Sequence, residues 1–227
     1  MSWGGSEREA GAFLRLLDPA SRADLEKLGR QRSMARGTTL MAEGQRSDRL
    51  IALLKGRVKL TCLTDDGREV VLAVAGPGEL LGEVSFFDGG PHSSTAVALE
   101  PLDTLVFAAD DFRRYLEAHP DAAILLLRMI TARFREAIRV QVEFAAFDSV
   151  GRVARRLLEM AERFGEKDDD GIRVTLQLSQ EELAGWVGSS REAVNKALGM
   201  LRSLGWIDTH RRGVTILDLA ALKKRAT

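Results

Sequence analysis

The chain of 227 residues is poor in the side chains that build metal and redox centres, with one cysteine and three histidines. A single cysteine, Cys62, excludes an internal disulfide and any iron–sulfur or zinc site made only of cysteines from one chain. No apolar run reaches the eighteen or so residues of a membrane span, because Arg128 interrupts the stretch Ile124–Ile130. The first residues lack a basic segment followed by an apolar one. We therefore expect no secretory signal, no membrane partner and a cytoplasmic location.

The charge of the chain is balanced overall but unevenly distributed. Residues 189–227 hold eight Lys or Arg against three Asp or Glu, a net charge of +5, so the remainder of this neutral chain carries −5. A basic end on a neutral chain is typical of a nucleic-acid-binding module joined to another domain. An ordinary solvated surface has the same composition, so the motifs have to decide between the two.

Residues 38–107 contain short β-rich segments punctuated by turn residues. Such a pattern predicts a small antiparallel β-roll, here preceded by a helical lead-in near Arg8–Leu28. Asp66–Gly67 lies between two of the segments and is a hairpin signal. The predicted strands are LIALL at 50–54, RVKLTCL at 57–63 and EVVLAVA at 69–75.

After His119–Pro120 the sequence changes to a long helical pattern. Asp121–Phe147 contains no Gly or Pro. Two series of residues recur every seven positions, which is typical of a dimerising helix: Leu127, Phe134 and Gln141, and between them Ile130, Ala137 and Phe144. One small β-roll cannot cover the whole stripe, so we expect a symmetric dimer through this helix. The alternative is a core helix of a monomer.

The remaining sequence predicts a second, smaller domain. Asp148–Gly151 is interpreted as a hinge, and a helix then runs to about Phe164. An acidic loop at 166–171, a strand at 172–176, two more helices, a strand pair within Trp206–Leu217 and a basic end complete the chain. The predicted fold class is α+β, with a β-roll domain and its lead-in at 1–119, a dimerisation helix at 120–147 and a second domain at 148–227.

Residues 178–207 predict a helix-turn-helix. Ser179 with Glu182 three residues later forms a capping-box signature for a helix start. Gly188 permits the positive φ of a tight turn, and Ser189 or Ser190 caps the next helix, which runs to about Leu204. A β-hairpin turning near residues 211–213 would form a wing beside it.

The second of these helices separates polar from apolar residues on a helical wheel. The polar side carries residues that suit base edges and phosphates, since Arg pairs with guanine, Glu accepts from cytosine, and Asn or Lys serves bases or phosphates. A plain amphipathic surface helix is the alternative. The polar side consists of Arg191, Glu192, Asn195, Lys196, Gly199, Arg202 and Ser203, and the apolar side of Ala193, Val194, Ala197, Leu198, Met200, Leu201 and Leu204.

The arrangement resembles the cyclic-AMP receptor protein/FNR (Crp/Fnr) family of bacterial transcription regulators, from about residue 12 to 222. The segments that carry the resemblance are EGQ at 43–45, GRV at 56–58, GELLGEVSFFD at 78–88, VGRVARRLL at 150–158 and VGSSREAVNKALGML at 187–201. It implies a cyclic-nucleotide-binding-type β-roll (a double-stranded β-helix), a long dimerisation helix and a carboxy-terminal winged helix-turn-helix.

The resemblance also implies a homodimer on double-stranded DNA with a two-fold symmetric site. Arg191, Glu192 and Lys196 match the family's base- and phosphate-contacting positions. Asp65–Asp66 and the acidic residues 166–170 fall where such proteins touch RNA polymerase. The full set of predicted DNA-binding residues is Ser179, Ser189, Ser190, Arg191, Glu192, Asn195, Lys196 and Arg202.

Cyclic-AMP-binding members of the family share a β-roll loop in which Gly and Glu hold the ribose side and Arg with Ser or Thr holds the cyclic phosphate. Gly82, Glu83 and Ser93 match this pattern. His92 stands in place of the arginine, and imidazole is a weaker, single donor that is only partly charged at neutral pH. The purine-contacting positions fall near Ala137 and Ile138, which are apolar. We therefore predict that the cyclic-AMP site is degenerate. A cyclic nucleotide is still the candidate ligand of the β-roll.

Three alternatives follow from the same residues. The β-roll could still bind cyclic AMP or another nucleotide, or the chain could be a nucleotide-binding regulatory module without DNA binding, which leaves 180–206 unexplained. A cupin-type metalloenzyme needs about three histidines or carboxylates around one metal, and His92 is the only histidine of the β-roll. GxSxG hydrolase motifs are absent. We expect no enzymatic activity.

Overall fold

A computed structural model describes residues 12–46, 48–175, 178–210 and 213–226. The chain divides into two compact units. The first comprises the residues up to Asp66 together with Leu72–Ala137, and the second comprises Gly67–Val71 together with the residues from Ile138 onward.

In the described residues, eight strands form two antiparallel four-stranded sheets, and all of their residues belong to the first unit except 69–71. The strands are β1 (Arg30–Met34), β2 (Thr39–Met41), β3 (Arg49–Lys55), β4 (Val58–Leu63), β5 (Glu69–Ala75), β6 (Leu80–Leu81), β7 (Thr95–Ala98) and β8 (Leu102–Ala108). The strand orders of the two sheets are β1-β8-β3-β6 and β2-β7-β4-β5. The predicted β-roll and its three predicted strands are confirmed, with β4 beginning one residue later than expected.

Period-two alternation explains how β3 serves two cores at once, because successive side chains of a strand point to opposite faces. Ile51 and Leu53 belong to the apolar cluster formed by residues of both sheets, together with Val58. Leu50 and Ala52 belong to a second cluster that also contains residues of the helices.

Helices cover the second face of that strand. They are α1 (Phe13–Leu16), α2 (Pro19–Leu28), α3 (Glu83–Asp88), α4 (Ala109–Ala118) and the start of α5 (Pro120–Ala146). Leu126 and Met129 of α5 lie in the cluster with Phe112 of α4, which is fully buried. The predicted helical lead-in is confirmed for α1 and α2, whereas Arg8 lies outside the described residues.

The second unit contains α6 (Ser149–Phe164), α7 (Gln180–Val187), α8 (Arg191–Ser203) and α9 (Leu219–Arg225). Its strands are β9 (Gly165–Asp168), β10 (Gly171–Thr175), β11 (Ile207–His210) and β12 (Gly213–Ile216). They form one sheet with the order β11-β12-β10-β9. The helix-turn-helix and the strand pair of the wing are as predicted, and the expected turn at Arg211–Arg212 lies outside the described residues.

Four details differ from expectation. The interruption before α6 is only Phe147 and Asp148, because the Asp148 carboxylate caps α6 by accepting from Gly151 N at 2.9 Å. The expected acidic loop at 166–171 is largely a hairpin of β9 and β10. The basic end forms α9. On α5, Ile130 of the expected seam packs against the core of the first unit instead of facing outward.

Within the described ranges, no helix combines the length and the apolar character that crossing a membrane requires.

Candidate functional site

The turn between α7 and α8 has the geometry that the sequence requires. Ser179 Oγ accepts from Glu182 N at 3.1 Å and Glu182 Oε2 accepts from Ser179 N at 2.6 Å, which completes the capping box. Gly188 has φ of 63°, and a Cβ there would lie 2.1 Å from Cε1 of Phe144. Only glycine fits this turn. Ser190 then caps α8 by accepting from Ala193 N at 3.2 Å.

Burial along α8 follows the predicted wheel in part. Val194, Ala197 and Leu201 are buried. Met200 and Leu204, which the wheel places on the apolar side, are instead about half exposed, at 49% and 48%. The reason is that the contact of a short helix with its domain is narrower than half of its circumference, so the edges of the apolar side remain in solvent. The polar residues Arg191, Glu192, Asn195, Lys196 and Arg202 are all exposed.

The polar side of α8 is partly organised by neighbouring side chains. Gln180 Oε1 accepts from Arg191 Nε at 3.3 Å and from Asn195 Nδ2 at 3.4 Å. At the other end of the helix, Arg202 Nη1 donates to Thr209 Oγ1 of β11 at 3.4 Å. The pKa of Glu192 is lowered by hydrogen bonds from the backbone amide of Glu192 itself and from the Ser190 hydroxyl, so the Glu192 carboxylate is ionised at neutral pH. This surface therefore offers both donors and one anionic acceptor.

Ser189 differs from the other predicted contacts, since its hydroxyl lies 3.1 Å from that of Ser149 at the start of α6. A second residue near the same end of α6, Arg152, donates hydrogen bonds to the backbone of the turn. Arg152 donates from Nε to Val187 O at 2.9 Å and from Nη2 to Gly188 O at 3.3 Å, and its guanidinium lies 5.5 Å from the ring centre of Phe144. A cation at the carboxyl end of α7 also complements the helix dipole. These hydrogen bonds connect the turn to the start of α6.

In the first unit, the β-roll loop places Glu83 against a cation of α5. Gly82 has φ of 88°, and a Cβ there would lie 2.9 Å from Arg49 O, so the position requires glycine. Glu83, which is buried, accepts from Nη1 of Arg133. Nη2 of Arg133 donates to Glu79 Oε2 at 3.3 Å and to the Leu80 carbonyl at 3.1 Å. Burial lowers the pKa of Arg133, but the two carboxylates outweigh it and raise the pKa overall.

His92 is held inside the loop as a neutral group. The residue is 5% exposed and its Nδ1 lies 3.1 Å from Ser85 Oγ. Its backbone is anchored as well, because His92 N donates to Gln45 O and His92 O accepts from Gly44 N, each at 2.9 Å. Burial lowers the pKa of the imidazole below its usual value, and nearby Glu83 opposes only part of this effect.

The remaining predicted effector residues are Ser93, Ala137 and Ile138, all of which are exposed. The Ser93 carbonyl accepts from Cys62 Sγ at 3.2 Å. Ala137 and Ile138 lie on α5. Elsewhere in the described part of the chain, no three His, Cys, Asp or Glu side chains gather as metal ligands would.

Sequence reasoning missed Arg133, Glu79, Ser85 and Gln180. A signal for Arg133 was present, because Leu126 and Met129 are buried on α5 and Arg133 is the next position on that face at helical spacing. A cation at the end of a buried stripe needs an anionic partner, and Glu83 is the acidic residue that the loop motif already marks.

Two family models match this chain. A cyclic nucleotide-binding domain matches residues 31–119, and a Crp-like helix-turn-helix domain matches residues 151–225. The matched ranges coincide with the β-roll and with the helix-turn-helix and its wing.

Known proteins resemble the chain over nearly its full length. It is 37% identical over 210 residues to the CRP-like cAMP-activated global transcriptional regulator of Mycobacterium tuberculosis, covering 92% of this chain and 94% of that protein. It is 29% identical to the cyclic AMP receptor protein of Thermus thermophilus, covering 86% and 88%. A CRP-family transcriptional regulator of Thermus thermophilus superposes with a TM-score of 0.73 at 30% identity, covering 86% of this chain and 96% of that one. FixK2 from Bradyrhizobium japonicum has the same fold, with a TM-score of 0.78 at 20% identity over 88% and 98%. This chain therefore belongs to the Crp/Fnr family of transcription regulators.

Proposed function

We propose that the protein is a homodimeric, sequence-specific DNA-binding transcription regulator whose cyclic-AMP site is degenerate. The observation that carries the DNA-binding part is the exposed polar side of α8, which starts directly after the glycine turn at Gly188. The observation that carries the effector part is His92, a buried and neutral side chain at the position where the family's phosphate-binding arginine is expected.

The residues on α8 suit the edges of bases in a major groove. Arg191 can make a bidentate pair with guanine, ionised Glu192 can accept from a cytosine amino group, and Asn195 or Lys196 can contact a base or a phosphate. All four are exposed in the first two turns of the helix, which is the part of a recognition helix that reaches base edges. We assign Ser179, Ser189, Ser190 and Arg202 to backbone contacts at the margins of this surface.

A second copy of the chain is the proposed partner of α5. The helix exposes large apolar side chains at helical spacing, and an exposed stripe of this kind marks an interaction surface. Its members are Ile124, Leu127, Phe134, Ile138 and Val142, which are 45% to 66% exposed. A second copy, related to the first by a two-fold axis beside α5, would cover the stripe. The resulting dimer would present two recognition helices to a two-fold symmetric DNA site.

The residues of the β-roll loop lead us to expect a low affinity for cyclic AMP. The cyclic phosphate is an anion, and the loop offers it a neutral imidazole where a guanidinium would make a charge-assisted pair. The one cation described beside Glu83, Arg133, is shared between two carboxylates. Ala137 and Ile138 carry no group that could hydrogen-bond a purine. Losing a charge-assisted hydrogen bond costs on the order of 1.5–3 kcal/mol.

Retained binding of cyclic AMP or another cyclic nucleotide is the second candidate. Gly82, Glu83 and Ser93 keep the motif, and the relatives in Mycobacterium tuberculosis and Thermus thermophilus are named for cyclic AMP. We further propose action in the cytoplasm and contact with RNA polymerase, for which exposed Asp65–Asp66 and the acidic hairpin of β9 and β10 are the candidate surfaces.

Selection of duplexes from a random pool, followed by fluorescence anisotropy, tests the proposed DNA binding. The selected sites should be two-fold symmetric. Arg191→Ala should cost about 1–3 kcal/mol of binding free energy and relax the preference at one base pair in each half-site. Gln31→Ala, which shortens an exposed side chain of β1 in the first unit, is the control. Unchanged affinity and preference for Arg191→Ala would reject α8 as the recognition helix.

A further inference from the structure

Gln180 stands at the first position of α7, outside the recognition helix, yet its side chain contacts two residues of that helix. A carboxamide oxygen has two acceptor sites. Both are used here, one by Arg191 Nε at 3.3 Å and one by Asn195 Nδ2 at 3.4 Å. Arg191 and Asn195 are four residues apart and therefore lie on the same side of α8. All three side chains are exposed on the surface proposed to meet DNA.

We propose that Gln180 is a positioning residue that sets the base preference of Arg191 and Asn195. The inference rests on the proposed contact of α8 with base edges. A guanidinium can present either of two forks to guanine, one formed by its two Nη groups and one formed by Nε with one Nη. The hydrogen bond from Nε to Gln180 selects the fork of the two Nη groups. It also removes rotamers that an exposed arginine would otherwise populate, which lowers the entropy lost on binding.

The contact to Asn195 completes the arrangement. Adenine is read by an asparagine that donates from Nδ2 and accepts at Oδ1. One Nδ2 hydrogen is held by Gln180, so the other hydrogen and Oδ1 keep the orientation that adenine needs. Gln180 therefore fixes the amide of Asn195 and the guanidinium of Arg191 relative to each other. A residue that merely touched a phosphate would strengthen binding to every sequence equally.

The test uses the full-length protein and two duplexes. The first is the two-fold symmetric site that the wild type selects from a random pool. The second replaces, in both half-sites, the guanine whose loss costs the wild type affinity but costs Arg191→Ala none. The discrimination ratio is the quotient of the two dissociation constants. Gln180→Ala should lower this ratio by about threefold to tenfold, as expected for one hydrogen bond.

Three variants separate positioning from other roles. Gln180→Glu keeps acceptor oxygens, so it should retain the ratio while weakening binding to both duplexes through repulsion of phosphates. In an Arg191→Ala background, Gln180→Ala should leave the ratio unchanged. Gln31→Ala, which shortens a glutamine side chain on β1, should change neither constant.

Two results would overturn the role of Gln180. One is a Gln180→Ala protein that loses the same factor on both duplexes, as the loss of a sequence-independent backbone contact would produce. The other is a Gln180→Ala protein whose two dissociation constants both equal those of the wild type. If the wild type selects no duplex at all, the proposed DNA binding fails and this inference fails with it.

Discussion

One buried imidazole governs the proposed behaviour of the β-roll. His92 occupies the loop as a neutral side chain next to Ser85, with its backbone anchored to Gly44 and Gln45. The loop thus keeps its shape without a cation for the cyclic phosphate. Shape and charge are separate properties of this motif, because glycines and backbone hydrogen bonds maintain the first while a single side chain supplies the second.

Restoring the cation should restore affinity. His92→Arg is expected to bind cyclic AMP about tenfold to a hundredfold more tightly than the wild type in isothermal titration calorimetry, since a charge-assisted pair contributes on the order of 1.5–3 kcal/mol. Gln31→Arg, which adds the same charge at an exposed position of β1, is the matched control and should change nothing.

Acidity provides an independent signature of the same residue. Burial holds the pKa of His92 below its unperturbed value near 6.5, so the protonated fraction is small at pH 7 and grows as the pH falls. An anionic ligand prefers the protonated form. Affinity of the wild type for cyclic AMP should therefore rise on acidification below pH 6.5, while that of His92→Arg stays flat over this range. Tight, pH-independent binding by the wild type would contradict the degenerate site.

Sequence reasoning reached the loop residues but not their partners. Gly82, Glu83 and His92 are recognisable because they belong to a contiguous motif. Arg133 lies 50 residues from Glu83, and the pair forms only because α5 packs its buried face on the β-roll core. Chemical complementarity across such a distance becomes visible once packing is known, since many cations in the chain could serve equally well.

At the scale of elements, two glycines of the helix-turn-helix have opposite roles. Gly188 needs its left-handed conformation and has Phe144 against it. Gly199 lies inside α8, and no described atom beyond the helix's own backbone is within 4 Å of a Cβ placed there. Gly199→Ala should therefore raise the free energy of unfolding by about 0.5–1 kcal/mol.

The paired variant should act in the reverse direction. Gly188→Ala places an alanine in the left-handed conformation and its Cβ against Phe144, so we expect the free energy of unfolding to fall by about 2–4 kcal/mol. Urea unfolding followed by tryptophan fluorescence in a Trp3→Phe background reports on Trp186 and Trp206, which both lie in the second unit. If the two alanine variants changed the free energy of unfolding in the same direction, the assigned geometry of the turn would be wrong.

Periodicity predicted several of the elements that bury a face, although β7, β8 and α4 also bury a face and were not predicted individually. The long helix α5 and the strands β3, β4 and β5 were recognisable from their apolar patterns. Strands β1 and β9 are edge strands whose residues are almost entirely exposed, so they carry no alternation. The six-residue α3 is too short to show a helical period. Burial produces the pattern, and elements at the edge of a fold lack it.

For the whole molecule, the decisive surface is the apolar stripe of α5. Phe134 is 66% exposed in the single chain and lies midway along the stripe, between Leu127 and Ile138. An aromatic side chain at such a position is expected to be buried by the second copy, where it contributes about 1.5–3 kcal/mol. Placing a carboxylate there would bury two like charges near the symmetry axis.

Phe134→Glu should therefore convert the protein to monomers, as measured by sedimentation velocity. A monomer contacts one half-site, so affinity for the two-fold symmetric duplex should fall on the order of a hundredfold or more. In an intact dimer the two recognition helices would reach major grooves about 34 Å apart. Lengthening the DNA between the two half-sites by half a helical turn should therefore abolish binding of the wild-type dimer, whereas the affinity of the Phe134→Glu monomer should not change. Phe87→Glu makes the same change at an exposed phenylalanine of α3 and should remain dimeric. A Phe134→Glu protein that sediments as a dimer would place the symmetry axis away from α5, and the spacing of half-sites would then have to be set by another surface.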